Sequence, residues 1–117
     1  MKLSTYLINL DSSTARLEKA DAELKRHSIA YQRISAVDGR VFDVAQFEGY
    51  NSAKSNAYTG RDLIGSELGC YLSHKKALEA FVASTSEFGL ILEDDLHLVD
   101  DFKSILDQTL NWMETHP

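Results

Sequence analysis

The stretch FGLILEDD, residues 88–95, begins with five apolar or small residues and ends in three consecutive acids. A short, continuous apolar run is typical of a strand that is buried on both faces of a parallel sheet. The carboxylates of Glu93, Asp94 and Asp95 follow it directly, and they repel one another unless open solvent or a cation relieves the repulsion. The change from apolar to acidic residues therefore predicts the end of a buried strand, with a cation site as one hypothesis for its acids.

Helix and strand signals on both sides of this stretch predict a layered α/β domain. The predicted elements, in chain order, are a strand over 5–10, a helix from Ser12 or Ser13 to about His27, a strand over 30–37, a helix from Ser66 to about Ala83, the strand 88–93 and a last helix capped by Asp100 or Asp101. The first strand, helix and second strand form a βαβ unit, which crosses over right-handedly into a parallel pair. We therefore predict a mostly parallel sheet within a single domain.

The segment between Asp38 and Gly65 lacks a clear hydrophobic period. Residues 41–47 predict a turn or two of helix, whereas residues 49–62 are polar and predict an irregular connection. A connection of this length within a compact domain is usually functional or mobile.

Two of the predicted helices carry apolar stripes that we expect to be buried. The stripe on the helix after Ser66 consists of Cys70, His74, Ala77 and Phe81, with Leu78 and Val82 beside it. The stripe on the last helix consists of Phe102, Ile105, Leu106, Leu110 and Met113. On this interpretation Cys70 is a small buried hydrophobe, and His74 is a hydrogen-bonded core residue rather than a ligand.

The composition argues against several classes of partner. The formal net charge is −6 and Lys and Arg form no stripe, which disfavours a nucleic-acid backbone or an anionic membrane surface. We expect no transmembrane segment and no signal peptide, because no apolar run is long enough for a span. The single cysteine, Cys70, excludes an internal disulfide and favours a reducing compartment. We therefore expect a cytoplasmic protein, with a peripheral position at the inner membrane as a variant of that location.

The carboxyl ends of the predicted strands carry the candidate site, because ligands of open parallel sheets bind beyond these ends. The polar residues there are Asn9 with Asp11, Asp38, and Glu93 to Asp95. Side chains alternate along an extended segment, so we expect Glu93 and Asp95 to point together and Asp94 to point away. Two converging carboxylates would suit Mg²⁺ or Mn²⁺, with water and substrate phosphates as the remaining ligands. The alternative is that the acids only begin a loop and cap the next segment.

Four segments of the chain together resemble one known family. They are YLINLDSSTAR at 6–16, AVDG at 36–39, GSELGCYLSH at 65–74 and LILEDD at 90–95. In this order and spacing they resemble the family 25 glycosyltransferases, which include bacterial lipooligosaccharide and animal collagen galactosyltransferases. The resemblance implies a Rossmann-like, GT-A-type nucleotide-binding sheet. It also implies metal-dependent transfer of a sugar, by preference galactose, from a UDP-sugar to a lipooligosaccharide or another glycan or lipid-linked saccharide acceptor, with Mn²⁺ or Mg²⁺ as cofactor.

The resemblance implies roles for individual residues as well. The implied metal ligands are Asp95 and Glu93, of which Glu93 would support either the metal or the ribose. The other residues implied for the donor pocket are Asp94 in a secondary role, Asn9 and Leu10 along the nucleotide, Asp11 and Arg16 near it, Ala36, Val37 and Asp38 at the uracil or ribose, and Ser73 and His74 facing the donor. No catalytic base is implied for any residue of this chain.

Family members are longer than this chain, so we interpret residues 1–117 as an N-terminal nucleotide-sugar-binding domain with a truncated sheet. Apolar surface exposed by truncation would favour a homodimer. One alternative is a catalytically inactive nucleotide-binding or interaction module, and a weaker one is a receiver-like signalling domain. A receiver needs its acidic pair after the first strand and a lysine near the last, whereas here the acids follow the third predicted strand and Lys103 lies inside a helix.

Overall fold

Three parallel strands in the order β2-β1-β3 form the central sheet of the computed structural model, which describes residues 2–117. β1 spans Leu3–Asn9, β2 spans Gln32–Ser35 and β3 spans Phe88–Glu93. The predicted parallel sheet of a Rossmann-like α/β domain is thus confirmed, and β3 has the predicted bounds. Because all three strands run in one direction, their carboxyl ends meet at one edge of the sheet.

The described chain also contains four helices and two short 3₁₀ turns, which both lie between β2 and the second helix. The helices are α1 at Thr14–Arg26, α2 at Ser52–Thr59, α3 at Gly65–Val82 and α4 at Phe102–Thr115, with 3₁₀ turns at Gly39–Val41 and Val44–Gln46. α3 begins two residues earlier than predicted, with Ile64 rather than Ser66 at its N-cap. The backbone N–H of Ile64 donates to the Glu67 carboxylate at 3.1 Å. The side chain of a residue in the first turn of α3 thus satisfies the backbone donor of the N-cap residue.

The prediction of an irregular connection over 49–62 was wrong, because α2 lies within it. The Asn51 side chain caps this helix by accepting from the Lys54 N–H, and Gly60 ends it in the left-handed conformation with a φ of +76°. No residue of α2 is buried, so this helix has no apolar stripe by which its period could be recognised. Its two caps are the only signal that the sequence carries.

The hydrophobic core lies on both faces of β1, whose side chains alternate between two clusters. Leu7 packs on one face with Ala20 and Leu24 of α1, and all three are essentially inaccessible to solvent. Tyr6 and Ile8 pack on the other face with Ile34 and Ala77. Burial of each large aliphatic side chain stabilises the fold by roughly 1.5 to 3 kcal/mol, and it fixes the strand ends in place.

The predicted apolar stripes are buried only in part. On α3, Ala77 is buried as expected, but Cys70 is exposed and Leu78 and Val82 are 52% and 80% exposed. The reason is a close approach of α3 to the loop after β2: a Cβ atom at Gly69 would lie 2.8 Å from the carbonyl oxygen of Val37. This contact turns the face that carries Gly69 and Ser73 towards the sheet.

The stripe on α4 was likewise predicted too broadly. Leu110 is its only buried member, whereas Ile105 and Met113 are exposed. Among the described residues, no helix is both long enough and apolar enough to cross a membrane.

Candidate functional site

A cleft of about 360 Å³ opens at the edge of the sheet where the three strands end. Its walls come from the ends of β1 and β3, the loop after β2, the start of α1 and the first half of α3. The lining residues are Ile8, Asn9, Leu10, Arg16, Ala36, Val37, Asp38, Gly39, Arg40, Ser66, Cys70, Ser73, His74, Glu93 and Asp94. The cleft therefore contains every predicted site residue except Asp11 and Asp95.

A polar network centred on Asn9 forms one wall of the cleft, and we call Asn9, Arg16, Arg33 and Asp94 the Asn9 network. The Asn9 side chain is buried, donates to Asp94 Oδ2 at 2.7 Å and accepts from Arg33 Nε at 3.0 Å. It also donates to the Ser13 carbonyl at 3.1 Å, which ties β1 to the start of α1. Both ends of the Asn9 amide are thus satisfied, as a buried amide requires.

Asp94 is held firmly within this network. Its side chain is only 10% exposed, and its two oxygens accept from Arg16 at 2.7 Å and from Asn9 at 2.7 Å. The prediction that Asp94 points away from the site was wrong, because strand geometry stops at Glu93 and a turn follows. Alternation between faces applies only along an extended segment.

Asp95 and Asp11, the two predicted residues outside the lining, lie close to the cleft in the chain. Asp95 is exposed in the turn after β3 and does not line the cleft, whereas Glu93 and Asp94 do. Asp11 accepts from Arg33 at 2.6 Å and from Ser35 at 2.8 Å, and these hydrogen bonds lower the pKa of its carboxyl group. The metal-binding role of Asp95 stays a prediction.

The opposite wall carries a second group, which we call the Cys70 cluster: Cys70, His74 and Glu93. His74 Nε2 lies 2.9 Å from Glu93 Oε1, and the Cys70 thiol donates to the same oxygen at 3.6 Å. The hydrogen bond from His74 lowers the pKa of Glu93, whereas partial desolvation and the negative charge of Glu93 raise the pKa of Cys70. Instead of forming part of the core, Cys70 and His74 present polar atoms to the cleft.

The loop 36–38 lines the cleft, and two backbone hydrogen bonds hold its first two residues. The Ala36 N–H donates to the Asn9 carbonyl at 2.9 Å, and the Val37 N–H donates to the buried Ser73 hydroxyl at 2.8 Å. Ser73 in turn donates to the Gly69 carbonyl at 2.7 Å, so its role in this structure is to hold the loop against α3.

Asp38, at the end of this loop, pairs with Arg40. Arg40 donates to the two carboxylate oxygens of Asp38 at 2.8 and 2.6 Å, and its backbone N–H donates as well. These bonds lower the pKa of Asp38 to about 2. Arg40, Ser66 and Cys70 line the cleft although the sequence did not predict them as site residues. Only the four-residue spacing between Cys70 and His74 could have indicated one of them, since it brings both side chains to one face of a helix.

The comparison with protein families identifies this architecture. The profile described as "Glycosyltransferase family 25 (LPS biosynthesis protein)" matches residues 2–116, which is almost the whole chain. The chain belongs to glycosyltransferase family 25. The resemblance seen in the four sequence segments is thus confirmed, and family membership leaves the receiver-like alternative without support.

Individual members of family 25 give the same result. Procollagen galactosyltransferase 1 of Danio rerio is 32% identical over 114 residues, which cover 94% of this chain and 19% of that protein. Procollagen galactosyltransferase 2 of Mus musculus is 28% identical, covering 84% of this chain and 16% of its own length. Inactive glycosyltransferase 25 family member 3 of Homo sapiens is 30% identical, covering 93% and 19%. The chain thus spans about a fifth of the length of these relatives, and no solved structure matches it significantly.

Proposed function

We propose that the cleft binds the nucleotide diphosphate of a sugar donor, a UDP-sugar and by preference UDP-galactose, for transfer to a glycan acceptor. The position of the cleft supports the proposal, because it lies beyond the carboxyl ends of parallel strands, where such sheets bind nucleotides. Its volume of about 360 Å³ falls within the range of small-molecule sites. The names of the procollagen galactosyltransferase relatives support galactose as the sugar.

The charge balance of the cleft supports a cation as part of the donor site, and this observation carries the proposal. Among the described lining residues, both arginines are already paired, Arg16 with Asp94 and Arg40 with Asp38. Glu93 adds a further negative charge at the same edge. The carboxylates in this cleft carry negative charge that the arginines do not fully offset, so they would repel a diphosphate. A divalent cation bound between them would replace this repulsion by attraction.

The acids after β3 fit such a cation by their chemistry. Glu93 and Asp95 offer exposed carboxylate oxygens, the donor type that Mg²⁺ and Mn²⁺ prefer, whereas both oxygens of Asp94 are occupied by Asn9 and Arg16. We assign Glu93 and Asp95 to hold the cation and Asp94 to position the turn that carries them. When bound, the cation would neutralise charge that develops on the departing diphosphate.

The other lining residues have roles that need no cation. Loop 36–38 presents its backbone to the ribose or uracil, since Ser73 and Asn9 hold that loop in one position. Leu10 provides apolar contact along the nucleotide, and His74 faces the sugar side of the cleft. The chain spans about a fifth of the length of its relatives, so nucleotide binding is the activity proposed for it.

The experiment is a thermal unfolding series with UDP and Mn²⁺. A ligand at about 100 times its Kd stabilises the native state by about 2.7 kcal/mol, which raises the Tm of a domain of this size by an amount on the order of 10 °C. Asp95→Asn should abolish the rise. Asp101→Asn is the matched control, because Asp101 is an exposed aspartate that makes no side-chain capping bond. A folded wild-type sample whose Tm does not respond to UDP and Mn²⁺ would overturn the proposal.

A second candidate function is a nucleotide-independent interaction module. The observation that favours it is the 30% identity to a relative named as an inactive family member, which lies between the 28% and 32% identities to the two galactosyltransferases. This candidate predicts a stable fold without any response to UDP. Exposed apolar side chains such as Val82 and Trp112 would then serve a partner or a second copy of the chain.

A further inference from the structure

The Cys70 cluster places three different metal-binding atoms at one point of the cleft wall. The cysteine sulfur, a histidine nitrogen and a glutamate oxygen all lie within 4.8 Å of one another. Cys70 and His74 are one turn apart on α3, so the helix holds both on one face, and the last residue of β3 supplies Glu93. The backbone of two regular elements therefore brings all three side chains to one point of the cleft wall before any ligand binds.

Small movements of the side chains would bring the three donor atoms to the spacing of a tetrahedral zinc ion. Zinc bonds of about 2.1 Å to nitrogen or oxygen and about 2.3 Å to sulfur place the ligand atoms of one ion roughly 3.3 to 3.6 Å apart. In the cluster, Glu93 Oε1 lies 3.6 Å from Cys70 Sγ and 2.9 Å from His74 Nε2. The sulfur–oxygen distance already has the required value. The nitrogen–oxygen distance is that of a hydrogen bond, and it would lengthen by about half an ångström when a cation replaces the shared proton.

The kind of donor selects the kind of cation. Mg²⁺ takes oxygen ligands, whereas a set of thiolate, imidazole and carboxylate is typical of Zn²⁺ and of other borderline-soft cations such as Co²⁺. We infer that Cys70, His74 and Glu93 form a binding site for Zn²⁺, which shares Glu93 with the oxygen-ligand cation site of the proposed function but differs from it in its other ligands. The inference does not rest on the proposed function, because it requires only these three side chains.

Three protein ligands leave one position of a tetrahedral ion open, as in zinc sites that bind water or substrate. The half-exposed side chains of His74 and Glu93, at 41% and 50%, put this position at the cleft surface. Binding releases the thiol proton to solvent, and the neutral imidazole of His74 carries its ring proton on Nδ1 while Nε2 binds the ion. Since both sites use Glu93, zinc should compete with the donor's cation.

The experiment uses Co²⁺ as a spectroscopic probe for zinc, with protein that carries no histidine tag, no nucleotide and a reduced thiol. We expect a near-ultraviolet charge-transfer band of the cobalt–thiolate bond, which Zn²⁺ then abolishes by displacing Co²⁺. Cys70→Ser should remove the band. His74→Gln should weaken cobalt binding at least about 10-fold, because even the loss of a group that hydrogen-bonds to a metal ligand costs about that much. His97→Gln is the control, because His97 is an exposed histidine outside the cleft.

Thermal unfolding without metal checks that each variant is folded, which is expected because Cys70 and His74 are not part of the core. No cobalt band in the folded wild-type protein would overturn the zinc site. So would a band that survives Cys70→Ser, or a cobalt affinity that His74→Gln leaves unchanged. The UDP experiment reads a different ligand, so the two proposals fail independently.

Discussion

The two walls of the cleft differ in how firmly their polar atoms are held. In the Asn9 network a buried amide and a nearly buried carboxylate bond to each other and to two arginines, so each group has its partners. In the Cys70 cluster a half-exposed carboxylate bonds to a histidine and an exposed thiol. Buried groups that lose a partner incur a full desolvation cost, whereas exposed groups turn to water. We conclude that the first wall maintains the shape of the cleft and the second is available for ligands.

The three acids at the end of β3 differ from one another in the same way as the two walls. Glu93 belongs to the available wall, Asp94 to the structural wall, and Asp95 to the exposed turn beyond. Adjacent residues of one chemical type therefore have three different environments. Substitutions on the two walls should separate structural effects from effects on binding.

The largest expected effect is the loss of Asn9. Asn9→Ala removes a buried side chain and leaves Asp94 and Arg33 without the amide, so we expect a loss of about 3 kcal/mol in the free energy of unfolding. Urea unfolding measures the difference. Asp95→Ala, in the exposed turn, should change the same quantity by less than about 0.5 kcal/mol. Equal effects of the two substitutions would show that the Asn9 network does not maintain the fold.

A smaller difference is expected between the neighbouring acids. Asp94→Asn replaces the carboxylate that pairs with Arg16 by a neutral amide. Because the Arg16 side chain is 54% exposed, we expect the free energy of unfolding to fall by only about 1 kcal/mol. Glu93→Gln keeps the shape of a half-exposed side chain and should cost less than about 0.5 kcal/mol. The comparison is made by urea unfolding at neutral pH. A greater loss for Glu93→Gln would reverse the assignment of the two walls.

The third prediction concerns the reactivity of Cys70 in metal-free protein. Desolvation and Glu93 raise the pKa of its thiol, so the thiolate fraction at neutral pH is small and alkylation is slow. The rate should increase as the pH rises, because only the thiolate reacts. Glu93→Gln removes the negative charge, lowers the pKa of Cys70 and should speed alkylation near pH 8, as followed by mass spectrometry. An unchanged alkylation rate would show that Glu93 does not raise the pKa of the Cys70 thiol.

Much of the fold could be predicted from the sequence, because burial leaves a periodic signal. The apolar run 88–92 with Glu93 after it predicted the bounds of β3 correctly. The predicted burial on both faces was wrong, because β3 lies at the edge of the described sheet and none of its residues is buried. The predicted strand over 30–37 proved to be only Gln32–Ser35, because β1 ends at Asn9, which accepts from the Ala36 N–H, and the Val37 N–H donates to Ser73 of α3 instead. α2 was missed because an entirely exposed helix has no apolar face.

The candidate site was predicted less completely, because its geometry depends on where β3 ends. Most of the predicted residues do line the cleft, as expected for polar residues at the carboxyl ends of parallel strands. The direction of Asp94 could not be predicted, since it follows from a turn after Glu93 and from contacts with Asn9 and Arg16. The exposure of Cys70 depends on the approach of Gly69 to Val37, which no local pattern indicates.

Calorimetric titration of UDP into the protein, with and without Mn²⁺, tests the central claim most directly. Wild-type protein should bind UDP far more tightly when Mn²⁺ is present, and Asp95→Asn should lose this enhancement while its unfolding free energy stays unchanged. UDP affinity that is equal with and without Mn²⁺, or an enhancement that Asp95→Asn retains, would contradict the account of the acids after β3.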